Sequence, residues 1–108
     1  MSGLKVEIQP GAKSEITVVA LEGPLLIAHV PDFSRSAQQA TTPVVVLDFS
    51  RSSYMDSAGL GAVLQLHKHL TGQQRRLVLV GLDQRIAALM KLTHADSVLE
   101  IHPDASSL

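Results

Sequence analysis

The feature that most constrains this chain is a pair of continuous apolar runs, Val44-Val45-Val46-Leu47-Asp48-Phe49 and Leu77-Val78-Leu79-Val80. A run without polar alternation predicts a strand covered on both faces. Between the two runs, Leu60, Val63, Leu64, His67 and Leu70 recur at the spacing of one helix face, and Gly72 marks a C-terminal stop. Strand, helix and strand in that order demand parallel pairing through a crossover. After Gly81, Asp83 is a good N-cap for a helix carrying Ile86 to Leu92, and Val98 to Ile101 predicts a short final strand.

The first 43 residues are read differently. Leu4 to Gln9 alternate apolar and polar, as a half-buried strand should, and Pro10-Gly11 predicts a turn. Glu15 to Leu21 is β-branched and mostly apolar, which predicts a second strand, punctuated by Gly23-Pro24. Leu25 to Val30 reads either as a continued strand or as the start of a helix, and Pro31 interrupts it. Asp32 to Ala40 fits one short helix before Pro43. The expected fold is α/β: a mixed sheet with a parallel core and an antiparallel N-terminal edge, flanked by helices. Residues 1–108 are expected to form a single domain with a flexible tail over 103–108.

Composition removes several function classes. Hydrophobic residues make up 45% of the chain, enough for a core without staples, and at 3% aromatic that core must be aliphatic. The absence of Cys excludes a disulfide framework, a thiolate nucleophile and a Cys-ligated metal. With 9 basic against 10 acidic side chains, and Arg75-Arg76 the densest basic cluster, phosphate-driven nucleic-acid binding is not expected. No apolar run approaches the ~20 residues of a membrane span. Met1 to Lys5 lack a basic segment followed by an apolar one. The expected location is therefore the cytoplasm, without membrane insertion. His67 and His69 point to different faces of one helix, and His29, His94 and His102 show no ligand spacing, so neither metal nor cofactor is expected. Ser57 lies outside a Gly-x-Ser-x-Gly elbow, and no acid–base–nucleophile set is visible, so the chain is not expected to be an enzyme.

The segment that carries chemistry follows the first apolar run: Ser50-Arg51-Ser52-Ser53-Tyr54-Met55-Asp56-Ser57-Ala58-Gly59-Leu60-Gly61. Loops at the carboxyl ends of strands form the working surface of an open α/β sheet. Ser57 is expected at the N-cap or in the first turn of the helix, exposed and beside unpaired N–H groups. Asp-Ser before a helix is by itself ordinary capping chemistry. Gly59 and Gly61 each cost a helix roughly 1 kcal/mol relative to Ala, which suggests close backbone approach to a neighbour or a partner.

The longer run from Val45 to Gly61 resembles the STAS family, the sulphate-transporter and anti-sigma-factor-antagonist domains. Leu77 to Gly81, Ile86, Leu89 and Lys91-Leu92-Thr93 continue the match. Residues 44–102 match well, and the first 43 only in outline, through Val18 to Leu25. The resemblance implies a mixed sheet flanked by helices and a phosphorylatable residue after the motif Asp, here Ser57. It implies a partner surface of Met55, Asp56, Ser57, Ala58, Gly59, Leu60 and Gly61. The implied partner is an anti-sigma factor that is also a GHKL-type serine-protein kinase, with a PP2C-type phosphatase as the reversing enzyme. Two other branches of the family are compatible: a subunit clamping the ATPase of a lipid-transporting ABC system, and an adaptor in another bacterial signalling pathway. Phospho-regulated members usually carry an acidic residue after the second strand, whereas this chain has Leu26-Ile27-Ala28 there.

Overall fold

The computed structural model describes residues 3–106 and 108. Five strands form one sheet in the order β1-β2-β3-β4-β5. They are β1 (Lys5–Pro10), β2 (Ile16–Glu22), β3 (Val44–Arg51), β4 (Arg76–Val80) and β5 (Glu100–His102). β1 runs antiparallel to β2, and the other three pairings are parallel. The mixed sheet inferred from the two apolar runs is thus the one observed. The crossovers carry α1 (Val30–Ala37), α2 (Ser57–Gly72) and α3 (Gln84–Leu92), with short 3-10 turns at Ile27–His29 and Ala95–Ser97.

The strand order never reverses. Crossovers of one hand in a monotonic order deliver every helix to the same face. The main core is built accordingly: Val45, Leu47 and Phe49 of β3 and Leu77 and Leu79 of β4 meet Phe33 of α1, Val63 and Leu66 of α2, and Ile86 and Met90 of α3. Among the described residues, no helix contributes to the core on the other face. There Ile16, Val46, Val78 and Val80 bury one another, with Val18, Val44 and Leu108 packed around them. The apolar runs predict cover on both faces, and the structure supplies it with helices on one face and with Ile16, Val46, Val78 and Val80 packed together on the other. A continuous apolar run reports burial on both faces, but valines side by side on a flat face, closed by Leu108, achieve it too.

Element boundaries shift where local chemistry overrides spacing. Pro31 does not interrupt α1 but sits in its first turn, where no helical N–H is needed. The helix consequently starts at Val30 and stops at Ala37, short of the expected Ala40. At the end of α2 the left-handed position falls on Gln74, with φ of 60°, not on Gly72. The final strand begins at Glu100, because Ala95–Ser97 close a 3-10 turn and Val98 caps it. Arg75 and Arg76 tie neighbouring segments together: Arg75 donates to the carbonyls of Ala40 (2.6 Å) and Thr42 (2.9 Å), and Arg76 forks onto Glu100.

Candidate functional site

β3 and β2 end together, and their pairing continues past the sheet into two loops. The Gly23 N–H donates to the Arg51 carbonyl (3.1 Å), and the Leu25 N–H to the Tyr54 carbonyl (3.0 Å). Leu25 and Met55 form a parallel bridge. The buried Ser52 hydroxyl donates to the Gly23 carbonyl at 2.6 Å and fastens the two loops at their base. Segment 50–56 is thus a strand extension lying beside residues 23–27, and α2 starts where it ends.

Asp56 is the N-cap of α2, with extended backbone angles. One carboxylate oxygen, Oδ1, accepts the Gly59 N–H at 2.8 Å, which satisfies an orphan donor of the first turn. The other, Oδ2, accepts the Ile27 N–H at 3.0 Å from the neighbouring loop. The Asp56 N–H in turn donates to the Leu25 carbonyl at 3.3 Å. The Gly59 hydrogen bond, helped by that of Ile27, holds the Asp56 carboxyl below its ordinary value, against partial desolvation. The carboxylate therefore stays charged, and both its oxygens are occupied by backbone donors.

Ser57 is the first helical residue, one past the cap, and it is exposed. Ala58 and Gly61 are half-buried beside it. Met55, Gly59 and Leu60 lie beneath, covered by the chain itself: Met55 is 4% and Leu60 5% exposed. The site residues expected from the motif thus separate into an accessible rim (Asp56, Ser57, Ala58, Gly61) and a floor (Met55, Gly59, Leu60). Gly59 has a definite reason for being glycine. A Cβ there would stand 2.3 Å from the Leu25 carbonyl oxygen. At Gly61 a Cβ would meet nothing within 4 Å.

Two accessible residues escaped the motif-based list of contacts. Ile27 is 70% exposed and Tyr54 49% exposed, and they stand on the paired loops that carry Asp56. Tyr54 lay inside the motif but reads as a loop residue. Ile27 lay in the ambiguous segment 25–30, where only the pairing with residues 54–56 reveals which apolar side chains turn outward. The loops that carry Asp56 thus present two exposed uncharged side chains, Ile27 and Tyr54. Two depressions of about 360 Å³ lie elsewhere, one lined by Lys5, Glu7, Asp48 and Arg51, the other by Leu82, Met90, Lys91 and Leu99; neither includes Met55 to Gly61. Among the described residues, no three His, Asp or Glu side chains gather as a metal site would require. No helix among them is long and apolar enough to cross a membrane.

Known proteins share the fold that carries this geometry. An anti-sigma-B factor antagonist of Listeria monocytogenes is 40% identical over 58 residues, covering 54% of this chain and 51% of that protein. The chain thus spans about half the length of the curated relatives it matches. The crystal structure of an anti-sigma factor antagonist from Mycobacterium paratuberculosis superposes with a TM-score of 0.85 at 17% identity, covering 97% of this chain and 90% of that one. The Bacillus cell-fate determinant SpoIIAA, solved in its phosphorylated form, superposes with a TM-score of 0.67 at 20% identity, covering 94% and 93%. At such identities the structural likeness establishes the fold alone. The family assignment comes from the STAS domain family model, which matches residues 4–108 from the first strand onward. The chain belongs to the STAS domain family.

Proposed function

We propose that this STAS domain is an anti-sigma-factor antagonist: a binding module, not a turnover catalyst, whose Ser57 is the control point. Unmodified, it binds an anti-sigma factor that is also a GHKL-type serine kinase and so frees a sigma factor. Phosphorylation of Ser57 ends the interaction, and a PP2C-type phosphatase restores it. The observation that carries this reading is the placement of Ser57: an exposed hydroxyl on the first residue of a sixteen-residue helix, beside a carboxylate whose oxygens are already engaged. The names of the Listeria relatives agree with it. SpoIIAA, whose fold the chain shares, is solved both phosphorylated and unphosphorylated.

The physics of the modification is favourable. A phosphate brings about -1.5 to -2 charges at neutral pH. The helix N-terminus stabilises that charge, so the fold tolerates it. A partner surface shaped for a neutral Ser57 hydroxyl does not. Incubation with the cognate kinase and ATP should add one phosphate, located by mass spectrometry on Ser57. Phosphorylation of Ser57→Ala to the wild-type extent would refute the assignment.

A further inference from the structure

We propose that Ile27 is the apolar anchor of this partner surface and that Asp56 is the positioning residue that presents it, so that charge added at Ser57 loosens the anchor. The inference rests on the switch reading above and names what the kinase grips and how the phosphate is felt. Ile27 opens a 3-10 turn, and its N–H is one of the orphan donors of that turn. Its partner is the Asp56 Oδ2, 29 residues away in sequence. The carboxylate therefore joins two elements: it caps α2 through Gly59 and holds the Ile27 loop against it. With its backbone fixed and its side chain 70% exposed, Ile27 is pre-ordered for contact, and Tyr54 stands on the paired loop as a second apolar contact. Rigid apolar side chains around a reactive centre are what a protein interface uses as anchors.

The occupant is set by Ser57. A kinase that phosphorylates this hydroxyl must bring its nucleotide cleft to the first turn of α2, so the rim of that cleft covers Ile27 and Tyr54. The rim must be largely apolar where it covers Ile27 and Tyr54, because Asp56, the charged group next to Ser57, is turned to backbone donors. Once Ser57 carries a phosphate, two anionic groups on adjacent residues compete for the same few N–H groups. The phosphate takes donors of the first turn, and repulsion weakens the hold of Asp56 on Ile27. The modification would then act twice, by charge on the rim and by release of the anchor.

Two measurements test this on the full chain. The first needs no partner: amide hydrogen exchange of the wild type, of Asp56→Asn and of protein carrying phosphoserine at position 57, installed during translation. Asn keeps an acceptor for Gly59 but can turn a donor toward Ile27. The Ile27 amide should exchange at least ~10-fold faster in both altered proteins, with strand amides of β3 unchanged. An unchanged Ile27 rate in the phosphorylated protein overturns the coupling. The second is affinity for the cognate kinase with ADP bound. Ile27→Ala should bind ~10-fold more weakly with an unaltered melting curve, and equal binding overturns the anchor. A wild-type chain that captures no kinase would sink the switch reading instead, while the exchange comparison still decides the coupling.

Discussion

The two glycines of the motif have separate physical roles. Gly59 packs its Cα against the Leu25 carbonyl, and that carbonyl is held by the Asp56 N–H, so it cannot retreat. Gly59→Ala should lose about 1–3 kcal/mol of stability in denaturant unfolding, the usual cost of forcing extra volume into a tight contact. Gly61→Ala should gain about 0.5–1 kcal/mol, because its Cβ meets open space and alanine favours the helix. If both substitutions cost alike, the close approach at Gly59 is not what demands glycine. From the sequence the pair looked equivalent, since both lower helix propensity alike. Only the crossing of residue 25 over the first turn of α2 distinguishes them, and that crossing joins residues far apart in the chain.

At the scale of elements, the sheet edge carries a pH-dependent brace. Glu100 on β5 accepts a fork from Arg76 on β4 and a further contact from His102 at 2.8 Å. The Arg76 hydrogen bonds, helped by His102, lower the Glu100 carboxyl from its ordinary 4.5 to about 2. A depressed carboxylate value in the folded state means stability that is present above pH 4.5 and lost as pH falls toward 2. Glu100→Gln should flatten that acid limb in urea titrations across this window. Solvent reaches both partners of the pair, with side chains 48% and 35% exposed, so the substitution should cost only about 0.5–1 kcal/mol near neutral pH. A wild-type acid limb retained by the variant would refute the brace. Elements with strong periodicity, such as β3, α2 and α3, were legible in the sequence. The start of α1 and of β5 was not, because Pro31 works as a helix opener and the Ala95–Ser97 turn takes residues from the strand.

For the whole molecule, the switch surface and the core are largely separable. Charge on Ser57 meets the positive end of α2 on an exposed residue, above the floor of Met55 and Leu60. Phosphorylated protein should therefore melt within about 5 °C of the unmodified chain, while kinase binding is lost. A collapse in Tm on phosphorylation would mean that the modification acts by unfolding, contrary to the switch reading.

The sequence alone determined the parallel α/β class, the antiparallel N-terminal edge and the placement of Ser57 at a carboxyl strand end. Those follow from local periodicity and from the chirality of crossovers, which a linear pattern encodes. The tertiary structure alone decided that all helices share one face, that Met55, Gly59 and Leu60 form the floor of the site, and that Ile27 stands on its rim. Each depends on contacts between segments remote in sequence: valines meeting valines across strands, and the Asp56 carboxylate reaching the Ile27 amide. No local pattern encodes which distant segment will occupy the space beside a residue, so these had to await the fold.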